Sequence, residues 1–124
     1  MTARPARGRV AQARGVMAED AVCAALVAEG WTIVARRLRT GAGEIDIVAD
    51  RAGLLAFIEV KARPSLATAA AALGPRQTAR LLAAGDAALG AHPEWGRAGV
   101  RFDVMLVDAA GRVRRVADAF RQES

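Results

Sequence analysis

The chain has 124 residues, a length that predicts a single domain. Its formal net charge of +5 favours a polyanionic partner, nucleic acid in preference to an acidic membrane surface. It contains no run of 18 apolar residues, so the sequence excludes a membrane-spanning helix. The single cysteine and single histidine exclude an intramolecular disulfide, a cysteine-rich zinc site and a histidine-pair metal motif.

The beginning of the chain is basic. Residues 1–12 are rich in Pro, Gly, Arg and Ala, a composition that predicts a flexible arm. Because this segment lacks the apolar stretch of a signal peptide, we interpret it as the arm of a cytoplasmic protein. Residues 13–118 are predicted to form the domain, and residues 119–124 a tail.

Hydrophobic periodicity predicts two helices and five strands in the order αβββαββ, which is an α/β or α+β arrangement. Gly30 is expected to end the first helix, and Gly74-Pro75 to open the second, because proline is favoured at the first helical position. The predicted elements are a helix over 13–29, strands over 31–38, 44–50 and 54–61, a loop over 62–73, a helix over 75–89, and strands over 100–107 and 111–116. The second and third strands are predicted to form an antiparallel hairpin.

Acidic residues interrupt the apolar sequence of these two strands. With a period of two, the second strand is predicted to place Glu44, Asp46 and Val48 on one face, opposite Ile45 and Ile47. In the third strand, Ile58 and Val60 are predicted to share one face. The opposite face is predicted to carry Leu55, Phe57, Glu59 and Lys61. A buried, ionised carboxylate is costly without a partner, so we expect an ion pair, solvent access or a bound cation here.

A bound cation would use all of these residues together. Asp46 and Glu59 come from neighbouring strands, and with the Val60 carbonyl they offer the hard oxygen ligands that Mg²⁺ or Mn²⁺ accepts. Lys61 is the only lysine of the chain, and it would position or activate an attacking water or stabilise charge developing at a phosphate. An ion pair of Lys61 with Glu59 or Asp46 at the rim of the sheet is the alternative.

Glu19 lies within the apolar stripe of the first predicted helix. A carboxylate on a buried face needs a partner. Two interpretations remain open. Either an arginine, Arg36 or Arg39, covers Glu19, or Glu19 is a third acidic ligand of the metal, direct or in its outer shell.

Two segments, Gly43 to Val48 and Phe57 to Arg63, resemble the Asp…Glu-x-Lys core of restriction-endonuclease-like nucleases. The whole pattern is most similar to the YraN family of small bacterial proteins, whose further blocks correspond here to Ala18-Glu19, Gly30-Trp31 and Arg101 to Val104. The resemblance covers about residues 14–108.

The resemblance implies a restriction-endonuclease-like α/β fold, a mixed β-sheet flanked by helices that is similar to archaeal Holliday-junction resolvases. It also implies a metal-ligand role for Glu19, because a glutamate on the first helix takes that role in resolvase-like relatives. One departure is that Arg76-Gln77 stands where the family usually has a lysine. Gln77 resembles a helix glutamine found after the Glu-x-Lys strand in some relatives.

These observations predict a Mg²⁺- or Mn²⁺-dependent endonuclease that hydrolyses phosphodiesters in DNA, including branched or junction DNA, with Asp46, Glu59 and Lys61 as its catalytic residues. The residues expected to contact nucleic acid are Arg36, Arg39, Arg63, Arg76, Gln77 and Arg80. A homodimer is expected because cutting two strands needs two sites. The alternatives are a binding module of the same fold that does not cut, and a scaffold protein whose basic arm contacts membranes or acidic proteins.

Overall fold

The structure is a computed structural model that describes residues 6–65, 67 and 74–116, with the backbone alone described for 6–14 and 116. The elements are α1 (Ala6–Ala28), β1 (Thr32–Thr40), β2 (Gly43–Arg51), β3 (Leu54–Ala62), α2 (Pro75–Ala91), β4 (Gly99–Val107) and β5 (Val113–Val116). The predicted order αβββαββ and the α/β class are confirmed over these residues. In the same part of the chain, no helix is both long and apolar enough to cross a membrane.

The five strands form one mixed sheet in the order β1-β2-β3-β4-β5. β1, β2 and β3 are an antiparallel meander, and the predicted hairpin is confirmed by the pairs from Ile47↔Ile58 to Arg51↔Leu54. β3 and β4 are parallel, which requires a crossover connection, and α2 lies in that connection. β1 and β5 are therefore the two edges of the sheet.

The helices cover opposite faces of the sheet. We call the side that packs on Leu81, Ala84 and Ala88 of α2 the α2 face. The side that packs on Ala18, Val22 and Leu26 of α1 is the α1 face. Both faces are apolar at the centre of the sheet, so β2 and β3 are covered from both sides, as their near-continuous hydrophobic sequences predict.

Helix α1 begins earlier than predicted. Residues 6–12, expected in a flexible arm, form its first turns, and the helix continues to Ala28. Alanine, arginine and glutamine have high helix propensity and make up most of this segment, so its basic composition does not prevent a helix. The rest of the predicted arm, residues 66 and 68–73 of the predicted loop, and the predicted tail lie outside the described residues.

The side chains of β3 alternate as predicted, but those of β2 do not. On β3, Leu55 and Phe57 pack on the α2 face, and Ile58 and Val60 on the α1 face. On β2, the residues that pack on the α2 face are Ile45 and Val48, whereas Ile47 packs on the α1 face. The predicted shared face of Asp46 and Val48, and that of Ile45 and Ile47, are therefore wrong.

The cause is an irregularity that β1 and β2 share. Asp46 shares a cavity with Ala18 of α1, so it faces α1, as does Ile47. Opposite Asp46, between the pairs Arg36↔Ile47 and Leu38↔Ile45, lies Arg37 with a positive φ of 53°. On β2 the consecutive residues Asp46 and Ile47 thus both face α1, and on β1 the consecutive residues Arg36 and Arg37 both contact it. We call this position the phase break.

Candidate metal and nucleic-acid site

Asp46 lies where β2 and β3 stop pairing. Their register ends at Ile47↔Ile58, and beyond it the Val60 N–H donates a hydrogen bond to Asp46 Oδ2 at 2.8 Å. A side-chain oxygen thus replaces the next backbone acceptor of the ladder. The carboxylate is held between the diverging strands, close to the Glu59-Val60-Lys61 segment.

The electrostatics of Asp46 are those of a crowded acidic site. The pKa of Asp46 is raised from 3.8 to about 7, chiefly by burial, while the hydrogen bond from the Val60 N–H opposes the rise. The negative charges of Glu59 and Glu19, and a hydrogen bond with the Glu59 side chain, raise the pKa further. Carboxylates gathered in this way favour a proton or a cation among them.

Glu59 and Lys61 form the ion pair that the sequence left open. Lys61 Nζ lies 3.8 Å from Glu59 Oε2, and both side chains are largely buried. At this distance the contact is electrostatic and too long for a hydrogen bond. The lysine pairs with Glu59 and not with Asp46.

Glu19 has two arginine partners on β1. Its Oε1 accepts a hydrogen bond from Arg37 Nε at 3.1 Å and lies 3.5 Å from Arg36 Nη2, while the glutamate itself is 8% exposed. The expected partner Arg36 is confirmed, whereas Arg39 pairs with Glu44 at 3.7 Å. Arg37 was missed by the sequence reasoning, because no residue pattern signals the left-handed backbone that directs it to α1.

Asp46 and Glu19 open into one cavity. It has a volume of about 320 Å³, and its lining consists of Gly15, Ala18, Glu19, Asp46, Val60, Ala62 and Arg63. Two of the three predicted acidic ligands and Val60 therefore line one cavity, whereas Glu59 contacts Asp46 from outside the lining. No three Asp, Glu, His or Cys residues converge on a metal-binding geometry within the described ranges.

The donor set nevertheless suits a hard divalent cation. Mg²⁺ is commonly held by one or two carboxylates and keeps several water ligands, so a site of two carboxylates and a nearby backbone carbonyl meets its needs. Asp46 and Glu19 would supply the carboxylates and Val60 the carbonyl. The role of Glu59 as a metal ligand stays a prediction.

The arginines expected to bind nucleic acid lie on both sides of this site. Arg36 is engaged with Glu19 and with Asp20 at 2.9 Å, whereas the Arg39 side chain is 90% exposed at the edge of the sheet. Arg63 is exposed at the rim of the cavity and bonds the Ala62 carbonyl through Nη1 at 2.7 Å.

On α2, Arg76 and Arg80 are exposed, as their predicted outward position requires. The stem of Arg80 crosses Gly43 at the start of β2, where an added Cβ would lie 3.0 Å from Arg80 Cγ at a positive φ. Gln77 is half-buried, and its Oε1 lacks a hydrogen-bond partner among the described residues. A donor from a bound molecule would satisfy this oxygen.

The model of the family described as "Uncharacterised protein family UPF0102" matches residues 18–107. A UPF0102 protein of Granulibacter bethesdensis is 59% identical over 115 residues, which cover 93% of this chain and 73% of the relative. A UPF0102 protein of Azorhizobium caulinodans is 48% identical over 121 residues, which cover 96% of this chain and 92% of the relative. One of Bradyrhizobium diazoefficiens is 50% identical over 113 residues, which cover 90% of this chain and 85% of the relative. The chain therefore belongs to the UPF0102 family, the family named YraN in the resemblance above.

Proposed function

We propose that this protein is a divalent-cation-dependent nuclease that hydrolyses phosphodiester bonds in DNA. The observation that carries the proposal is the position of Asp46, which the Val60 N–H holds between Glu59 on β3 and Glu19 on α1. A purely structural ion pair would need one carboxylate beside Lys61. Three carboxylates near one another are a cost to folding that a bound cation would offset.

The residues divide into two roles. Asp46 and Glu19, with the Val60 carbonyl, would hold Mg²⁺ or Mn²⁺, which when bound neutralises charge at the scissile phosphate. Lys61, kept close to Glu59, would orient the attacking water or stabilise the charge that develops on the phosphate oxygens. Hydrolysis joins the oxygen of that water to phosphorus and releases a sugar hydroxyl.

The substrate is proposed to be DNA, with branched or junction DNA among the candidates. The net charge of +5 and the exposed arginines support a polyanionic partner, because phosphates are bound by charge and positioned by arginine hydrogen bonds. Two copies of the chain would place one site on each strand of a duplex. Sedimentation of the protein with and without a junction tests the dimer.

Two observations favour a second candidate, a DNA-binding module that does not cut. Glu59 is occupied by Lys61, and the described residues hold no three-ligand metal cluster. A module of this kind would bind DNA through the same arginines. Its binding would be independent of divalent cations, and no product would form.

Cleavage assays on the purified full chain separate the two candidates. Linear duplex, single-stranded and four-way-junction DNA are incubated with Mg²⁺, Mn²⁺ or EDTA. We expect cleavage that depends on the cation, that is lost in Glu59→Gln, and that persists in the matched control Asp86→Asn on the exposed surface of α2. Tight DNA binding without cleavage in every condition would favour the binding module, and neither binding nor cleavage would refute both.

A further inference from the structure

Arg37 has a backbone conformation that a strand does not require. Its φ of 53° is in the left-handed region, although it lies within β1. Ala52 is the other non-glycine residue with positive φ among the described residues, and it lies in the tight turn between β2 and β3, where such values are common. A left-handed arginine costs free energy that the surrounding structure must supply, so its contacts point to what the conformation achieves.

The left-handed turn directs the Arg37 side chain to the α1 face. Arg36 and Arg37 both contact α1, while Leu38 packs on the α2 face. The neighbouring strand changes phase at the same place, because Arg37 lies opposite Asp46. The phase break therefore presents an arginine and an aspartate to the same part of α1, the turn that contains Glu19.

The contact of Arg37 with Glu19 uses only one carboxylate oxygen. Both arginines approach Oε1, and Oε2 has no hydrogen-bond partner within the described part of the chain. Glu19 lines the cavity that also contains Asp46. Its carboxylate is thus fixed through one oxygen, and the other is left without a hydrogen bond from the described residues.

We infer that Arg37 is a positioning residue, which fixes Glu19 through Oε1 so that Oε2 can bind a divalent cation together with Asp46. The inference rests on the cation-dependent function proposed above. Residues that orient a metal ligand contribute substantially to metal affinity, because a freely rotating carboxylate must be ordered when the cation binds. Arg36 shares the same oxygen but at 3.5 Å, so Arg37 at 3.1 Å is the stronger constraint.

Calorimetric titration of the full chain with Mn²⁺ tests this role without any need for cleavage. Arg37→Asn is the main variant, because asparagine tolerates a left-handed backbone and removes the guanidinium together with part of the aliphatic stem. We expect its Mn²⁺ affinity to fall roughly 10-fold, the lower end of the range for lost partners of metal ligands. Arg37→Lys keeps the charge and should lose less, and the control Arg114→Asn on the exposed part of β5 should bind as the wild type does.

The opposite result would overturn the inference. A positive charge near a cation site opposes cation binding, so an arginine with no positioning role would give equal or tighter Mn²⁺ binding in Arg37→Asn. If Arg37→Asn does not fold, as judged by its thermal melt, wild-type affinity in Arg37→Lys would overturn the inference instead. Weaker Mn²⁺ binding in a protein that never cleaves DNA would support Arg37 and refute the nuclease, and a wild type that binds no Mn²⁺ would refute both.

Discussion

Asp46→Asn is expected to stabilise the metal-free protein at pH 8 and to change its stability little near pH 4. Burial raises the pKa of Asp46 from 3.8 to about 7, so the folded chain binds this proton more tightly than the unfolded chain. The resulting stabilisation is complete below pH 3.8 and is lost as the pH rises to about 7. Asparagine retains an oxygen that accepts the Val60 N–H and has no charge to bury.

The size of the effect follows from the two pKa values. They differ by about 3 units, which corresponds to roughly 4 kcal/mol of unfolding free energy. Because Asp46 is only partly buried, solvent screening reduces this figure, and we expect about 2–4 kcal/mol at pH 8. For a domain of this size the gain corresponds to a rise in Tm of roughly 6–16 °C.

Thermal melts in EDTA at pH 4.5 and pH 8 measure this difference. Asp86→Asn removes an exposed carboxylate from α2 and serves as the control. Excess Mg²⁺ at pH 8 should then stabilise the wild type more than Asp46→Asn, because ligand-linked stability follows affinity. A Tm difference that is the same at both pH values, or a destabilised Asp46→Asn at pH 8, would refute the electrostatic reasoning.

Four further predictions test the fold and the site. Glu19→Gln should change the stability of the metal-free protein by less than about 1 kcal/mol, because relief of repulsion with a neighbouring carboxylate offsets the loss of two half-exposed arginine partners. The stabilisation by Mg²⁺ should shrink in this variant. A large drop in Tm in EDTA would instead make Glu19 a structural residue. Lys61→Arg should cleave DNA at least 10-fold more slowly, since a planar guanidinium does not replace a compact ammonium beside Glu59, and wild-type cleavage would contradict the role of the lysine. The logarithm of the duplex affinity should fall with the logarithm of salt concentration with a slope of roughly −4 to −5 for four to six phosphate contacts, and a slope near zero would exclude the arginines as phosphate ligands. Gly85→Ala should destabilise the chain by about 1–3 kcal/mol, because the added Cβ would lie 2.6 Å from Phe102 Cε1. Gly90 has open space around it, so Gly90→Ala should stabilise α2 by about 0.5–1 kcal/mol, and denaturant melts measure both changes.

The fold could be predicted from the sequence because most of its elements are locally consistent. Strand β3 alternates regularly, so the opposite faces of Phe57 and Ile58 follow from a period of two. The start of α2 at Pro75 follows from the preference of proline for the first helical position. Helix α1 starts earlier than the basic composition of residues 6–12 predicts, because most of these residues have high helix propensity.

The candidate site was predictable in its residue types but not in its geometry. Acidic residues in covered strands require partners, and this requirement alone drew attention to Asp46, Glu59 and Glu19. Which arginine meets Glu19 depends on the backbone of β1, and a positive φ at an arginine has no signature in the sequence. The prediction therefore included Arg36 and missed Arg37.

The phase break also explains how β2 packs apolar residues against both helices although it contains Asp46. Ile45 and Val48 must pack under α2, and Ile47 and Ala49 under α1, to complete the two apolar clusters. A regular strand would place Ile45 and Ile47 on the same face, and Asp46 with Val48 on the other. By turning two consecutive residues toward α1, β2 keeps both clusters apolar and directs the Asp46 side chain to the place where β2 and β3 stop pairing, near Glu19. The irregularity is thus what allows a carboxylate to lie inside an apolar strand without entering either core.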